Sequence, residues 1–292
     1  QKFGWLVFNL IVLCNFFFLY NFLFLAMKLQ DQLRGTGVAL VTPFKQNMEI
    51  DFVALERVIN FVIDKGVEYV ITLGTTGETP TLSKDEKLEL IRFTNEIVDD
   101  RVPVVVGIGG NNTLSIIKDL ETFPLEKAAA VLSASPYYNK PSQEGIYQHY
   151  KALAEVTPKP IILYNVPGRT GSNVLAETTL ELAEIKNIVA MKEASGNMEQ
   201  IMEIIRSKPE GFLVLSGDDA ITLPLIAAGA DGVISVVANS FPAQFSQMVT
   251  SALNGDFETA KLLYKEIDLD KIGWKKTIVM ELPNVVLKFL VG

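Results

Sequence analysis

One cysteine and one histidine in 292 residues leave little room for several kinds of chemistry. Cys14 alone excludes a disulfide framework, and the pair excludes a zinc site of the Cys/His kind. A Cys-His or Ser-His-Asp arrangement would have to draw on His149, which lies in the helical stretch Glu144-Gly145-Ile146-Tyr147-Gln148-His149-Tyr150 and reads as a surface or packing residue. Positive charge is also scarce. The 26 Lys and Arg residues stand against 34 Asp and Glu, a formal charge of -8, and no Lys/Arg cluster offsets it, so a nucleic-acid partner is not expected. Gly107-Ile108-Gly109-Gly110-Asn111-Asn112 lacks the Gly-Lys-Ser/Thr ending of a phosphate loop and reads as a strand-to-helix turn. Asp218-Asp219 has no third carboxylate or histidine at metal spacing and reads as a helix cap; no metal is expected. The chemistry falls to lysine, tyrosine, threonine, arginine and carboxylates.

Hydrophobic residues make up 49% of the chain, ample for a full core. Residues 3–27 carry no charge and are long enough to span a membrane. They lack a small-x-small cleavage site and have Asn9, Asn15 and Asn21 spaced through them, and a globular stretch opens at Met27. The expectation is that 1–26 lies outside the fold, with a membrane anchor as the alternative.

From Gly37 onward short apolar runs alternate with amphipathic windows. The runs fall at 38–41, 69–73, 102–106, 129–132, 161–164, 188–191, 212–215 and 232–236. The helical windows fall at 52–64, 84–99, 114–121, 143–155, 176–184, 198–206, 220–228 and 243–253. Ser83 followed three residues later by Glu86 is a capping-box start. Strand then helix, eight times, predicts an α/β protein whose residues 27–255 form a (β/α)8 barrel, with 256–292 a shortened C-terminal helical region. The alternative, a doubly wound open sheet, would show a glycine-rich turn after its first strand, and Val41-Thr42-Pro43-Phe44 is not one.

A barrel places its active site at the C-terminal ends of its strands. The unusual polar residues fall there: Gly74-Thr75-Thr76-Gly77-Glu78 after the second run, Ser135-Pro136-Tyr137-Tyr138-Asn139-Lys140-Pro141 after the fourth, Tyr164-Asn165-Val166-Pro167-Gly168-Arg169-Thr170-Gly171 at the fifth, Lys192 at the sixth and Ser216-Gly217-Asp218-Asp219 at the seventh. Lys192 ends the apolar run Ile188-Val189-Ala190-Met191. An ammonium held in an apolar wall loses hydration, which favours a neutral amine able to attack a ketone; a lysine reaching for solvent is the plainer alternative. The Gly-Thr-Thr-Gly-Glu turn suits a carboxylate equally as an anion nest and as a helix cap. Arg169 has no packing duty in a surface loop, and its planar fork fits a carboxylate.

Gly74 to Glu78, Ser135 to Pro141, Tyr164 to Gly171 and Lys192-Glu193-Ala194-Ser195-Gly196, four motifs in this order and spacing, resemble the signature segments of the dihydrodipicolinate (4-hydroxy-tetrahydrodipicolinate) synthases, within the wider pyruvate-dependent class I lyases. The resemblance runs from about Leu33 to Asp256. It implies that Lys192 forms a Schiff base with pyruvate, with no cofactor beyond that covalent link, and that Tyr164 shuttles protons beside it. Thr75 would bridge Tyr164 to Tyr138, the latter reaching in from a neighbouring subunit. Thr76 would hold the pyruvate carboxylate and Arg169 that of L-aspartate semialdehyde, while Gly217 and Ile234 would line the pyruvate pocket. The implied setting is cytoplasmic diaminopimelate and lysine biosynthesis by a homodimer or homotetramer. An N-acetylneuraminate lyase-like or keto-deoxy sugar-acid aldolase reaction on the same Schiff base is the alternative.

Three departures from the resemblance stand out. Lys84 and Lys87 occupy positions where lysine-inhibited members often carry histidine, so weak lysine inhibition is expected although Asn111 and Tyr137 of that site are present. The C-terminal region is expected to be a helix or two short, and Glu281-Leu282-Pro283-Asn284 is only distantly similar to the family's Asn-Pro motif. The apolar leader is foreign to the family.

Overall fold

The computed structural model describes residues 29–267. The apolar leader 1–26 and the C-terminal motif around Pro283 lie outside the described residues. Within them the eight expected strands are present: β1 Gly35–Ala39, β2 Tyr69–Thr72, β3 Val104–Gly107, β4 Ala128–Ala134, β5 Ile161–Asn165, β6 Ile188–Glu193, β7 Leu213–Ser216 and β8 Gly232–Ser235. Each pairs in parallel with its neighbours, and β8 pairs with β1, closing a barrel. Around it run α1 Phe52–Asp64, α2 Lys84–Val98, α3 Thr113–Thr122, α4 Gln143–Val156, α5 Pro167–Thr170, α6 Ala176–Ala183, α7 Met198–Ser207, α8 Thr222–Ala227, α9 Pro242–Leu253 and α10 Phe257–Glu266. The architecture is the (β/α)8 barrel that the alternation of apolar runs and helical windows predicts.

Local chemistry sets the helix starts. Ser83 Oγ accepts from Glu86 N at 3.3 Å while Glu86 Oε2 accepts from Ser83 N at 2.7 Å, a complete capping box. Asp51, Ser142 and Asn197 cap α1, α4 and α7 in the same way through one side-chain oxygen. The window expected at 220–228 is split: Asp218 caps the short 3₁₀ turn Asp219–Ile221, and α8 starts afresh at Thr222. Pro224 sits in the first turn of α8, where its missing N–H costs no hydrogen bond.

Several strands extend beyond the apolar runs, β1 and β6 among them. β1 starts at Gly35, and the Tyr69 ring occupies the space that a Cβ on Gly37 would need. Tyr69 Oη donates to Val233 O at 3.2 Å, so one tyrosine fills the lumen between β1, β2 and β8. β6 continues through Lys192 and Glu193 because both stay in the ladder, opposite Leu215 and Ser216 of β7. Lys192 is read from the sequence at the end of this run, whereas the polarity of Glu193 hid it from the hydrophobic pattern.

Alternation along the strands separates two apolar layers. Ile71, Val105, Leu132, Ile162, Tyr164, Ala190, Leu215 and Ile234 fill the lumen, while Val70, Val106, Val131, Leu163, Met191, Val214 and Val233 pack outward against the helices. Lys192 has the parity of Ala190 and points inward. Glu193 has the parity of Met191 and points outward.

Candidate active site

The register of β5 on β6 makes Tyr164 and Lys192 direct partners, both on the lumen face at its C-terminal end. Lys192 is 4% exposed and Tyr164 7%. Lys192 Nζ lies 4.5 Å from the Tyr164 ring centroid, close enough for the ring face to attract a cation. The strand thus holds an amine in the apolar wall that the sequence suggests, with a phenol beside it.

Gly217 follows β7, and its N–H donates to Glu193 O at 2.7 Å. A Cβ at Gly217 would stand 3.1 Å from Lys192 Cε and 2.7 Å from Ala194 Cβ. The glycine therefore leaves the room in which the lysine side chain lies. Ile234, fully buried on β8, shares the lumen.

Across the mouth, the turn after β2 is built from backbone strain and hydroxyl contacts. Leu73 and Glu78 take left-handed φ values of 56° and 55°, bracketing the single 3₁₀ turn Thr75–Gly77. Thr79 Oγ1 donates to Gly74 O at 2.9 Å and Thr42 Oγ1 to Gly77 O at 2.7 Å, fixing the turn from both sides. Thr76 is buried, whereas Thr75 is exposed toward the mouth. Arg169 stands exposed on α5 at the rim. Tyr138 stands apart: its side chain is 82% exposed and its φ of 74° is costly for a residue with a Cβ. Its N–H donates to Thr170 O at 3.3 Å, tying its loop to the one that carries Arg169.

A further acid belongs to this end of the barrel. Asp219 Oδ2 accepts from Val236 N at 3.1 Å and Val237 N at 3.2 Å, joining the loop after β7 to the one after β8. Burial pushes its carboxyl up, opposed by those N–H groups, by Ser235 and by the Lys192 ammonium. In sequence Asp218-Asp219 reads only as a cap. Asp218 is one, accepting from Ala220 N at 3.0 Å, but Asp219 has the longer reach, which no local pattern signals. His149 is a packing residue: 4% exposed, it shares a 2.8 Å hydrogen bond between its Nδ1 and Thr113 Oγ1.

Two surface hollows, one lined by Lys65, Ser246 and Asn254 and the other by Arg92, Asn95 and Lys127, involve the segments leading into the strands. They lie away from the lysine. Among the described residues no helix is long and apolar enough to cross a membrane.

A buried amine beside a phenol at the mouth of a closed eight-stranded barrel, with the threonine-rich turn opposite, fits a (β/α)8-barrel lyase. The chain belongs to the dihydrodipicolinate synthetase family, whose model matches residues 32–287. It is 54% identical over 234 residues to the 4-hydroxy-tetrahydrodipicolinate synthase of Flavobacterium psychrophilum, covering 80% of each chain. Against the enzyme of the same name from Koribacter versatilis the identity is 51%, covering 80% of this chain and 78% of that one. Among solved structures, the 4-hydroxy-tetrahydrodipicolinate synthase of Methylacidiphilum fumariolicum superposes with a TM-score of 0.82 at 38% identity, covering 88% of this chain and 89% of that one. The dihydrodipicolinate synthase of Aquifex aeolicus gives 0.79 at 42%, covering 82% of each. These relatives carry the synthase name; the sugar-acid aldolase alternative is not favoured.

Proposed function

We propose that the protein condenses pyruvate with L-aspartate semialdehyde, in diaminopimelate and lysine biosynthesis, through a Schiff base on Lys192. The observation that carries this reading is the buried Lys192 amine, 4.5 Å from the Tyr164 ring at the catalytic end of the barrel. The amine attacks the ketone carbon of pyruvate, and loss of water leaves an iminium. The iminium draws electrons from the neighbouring methyl group, which loses a proton and becomes an enamine. The enamine carbon attacks the aldehyde, forming the carbon–carbon bond, and the resulting alkoxide takes a proton. The amino group of the semialdehyde then attacks the iminium carbon, closing the ring and releasing Lys192. No cofactor is required.

Tyr164 is placed to give and take the protons of these steps, provided its own proton has a route to solvent. Thr75, at the mouth, and Tyr138 supply that route in this reading. Tyr138 is exposed, as are Tyr137 at 41% and Leu114 at 76%, which supports a second copy of the chain as the recipient of the Tyr138 hydroxyl. The working form is then a cytoplasmic homodimer, or a tetramer of two such pairs. Thr76 and the turn amides hold the pyruvate carboxylate, Gly217 and Ile234 shape its pocket, and Arg169 receives the carboxylate of the semialdehyde.

Borohydride reduction in the presence of pyruvate tests the proposal. The intact mass should rise by one reduced pyruvate, mapped to Lys192, and prior addition of L-aspartate semialdehyde should diminish the adduct through turnover. Folded protein that forms no adduct contradicts the mechanism.

A further inference from the structure

Glu193 is a fully buried carboxylate one residue from the catalytic lysine, and nothing in the reaction above uses it. It points out of the barrel, opposite Asn165 in the β5–β6 register. Among the described residues no Lys or Arg forms an ion pair with it; its partners are neutral donors. Asn165 Nδ2 donates to Oε1 at 3.2 Å and to Oε2 at 3.0 Å, Ser195 N to Oε1 at 2.7 Å and Gln200 Nε2 to Oε2 at 3.2 Å. Burial raises its carboxyl and these donors hold it down. A buried charge without a cation is expensive, so the network it organises is where its role lies.

That network grips one loop. Asn165 Oδ1 accepts from Val174 N at 3.1 Å, and its Nδ2 donates to Asn173 Oδ1 at 2.8 Å. Gln200 accepts from Asn173 Nδ2 at 2.6 Å and donates to Val174 O at 3.2 Å. The segment between Asn165 and Val174 carries Arg169, and its Thr170 carbonyl holds the Tyr138 backbone. Both ends of this loop are therefore referred to a single carboxylate on the strand that carries Lys192.

We propose that Glu193 is a positioning residue for the second substrate, setting through Asn165 and Gln200 the distance between Arg169 and the Lys192 iminium. The inference rests on the reading of Arg169 as the partner of the semialdehyde carboxylate. Lys192 itself lies on the opposite face of β6, so the Glu193, Asn165 and Gln200 side chains do not touch the amine that captures pyruvate. Every group facing the carboxylate is a donor, so Glu193→Gln turns an NH₂ toward donors in either amide orientation.

The test measures KM for each substrate and the rate of borohydride trapping with pyruvate, on the full chain, for wild type, Glu193→Gln and Gln200→Ala. Glu193→Gln should raise KM for the semialdehyde about tenfold while KM for pyruvate and the trapping rate stay within about twofold. Gln200→Ala, a partly exposed site with less bearing on folding, should move the same constant in the same direction by less. An unchanged semialdehyde KM in both variants, or an equal loss for both substrates, overturns the proposal. Wild-type protein that traps pyruvate but does not turn over the semialdehyde would instead overturn the assignment of the second substrate.

Discussion

Tyr164 and Lys192 are direct partners across β5 and β6, and the ammonium lies 4.5 Å from the centre of the phenol ring. They are 28 positions apart in the chain, and only the parallel register brings them to one face. Neighbouring strands hold both side chains at one level of the lumen, so proton transfer between an imine and the phenol needs no loop movement.

Replacing Lys192 with Met removes the amine and leaves an apolar side chain of similar length in the wall. Turnover should fall by about four orders of magnitude or more, and trapping with pyruvate should vanish. The thermal midpoint should hold or rise, because a desolvated cation has been removed. Calorimetry beside mass spectrometry reads both, and a large drop in the midpoint would contradict the description of the pocket.

Gly217→Ala places a methyl 3.1 Å from Lys192 Cε. The lysine must leave the position it now holds beside Tyr164, so the rate of imine formation should drop about 10²-fold. Overpacking should cost about 1–3 kcal/mol of stability. Stopped-flow trapping and urea unfolding check the two figures, and a wild-type trapping rate would show that the side chain has another place to go.

Tyr138 makes the site depend on two chains in the proposed dimer. Tyr138→Phe and Lys192→Met should each be inactive or nearly so. Mixed, unfolded and refolded together, they should regain measurable activity, since a mixed pair has one site with both groups intact. No activity in a mixture that analytical ultracentrifugation shows to be dimeric would place the Tyr138 hydroxyl outside the relay.

His149 predicts acid sensitivity. Burial lowers its pKa from 6.5 to about 4, and its Nε2 is buried with no hydrogen-bond partner among the described residues. Between those values the unfolded chain binds the proton and the folded one does not, so stability falls as pH drops from about 6.5 to about 4, and this residue costs nothing further below that. The loss is on the order of 3 kcal/mol. Urea titrations at pH 7 and pH 4 should show that difference in wild type and a smaller one in His149→Gln.

Lysine inhibition should be weak. Lys84 Nζ lies 3.4 Å from Asp119 Oδ1, 3.3 Å from Thr122 Oγ1 and over the Phe123 ring at 5.6 Å, so the cation is already engaged with α3 and its end. With Lys87 it makes the neighbourhood unfavourable to a second ammonium. L-lysine in large excess over both substrates should leave the rate unchanged, and inhibition at low concentration would contradict this.

By itself the sequence determined the barrel and the end of it at which the site is expected. Both follow from short-range order: eight apolar runs alternate with amphipathic windows, a cap such as Ser83 marks a start, and the reactive residue types cluster where strands stop. The resemblance then attached roles to Lys192, Tyr164 and Arg169. Tertiary structure alone decided which residues face one another. The partnerships of Tyr164 with Lys192, Asn165 with Glu193, and Asp219 with the amides of Val236 and Val237 depend on the register between strands and on the closure of β8 on β1. A shift of one residue in that register would turn Lys192 to the helices and Glu193 to the substrate. That choice belongs to the packing of the whole lumen, from Tyr69 to Ile234, and no local stretch contains it.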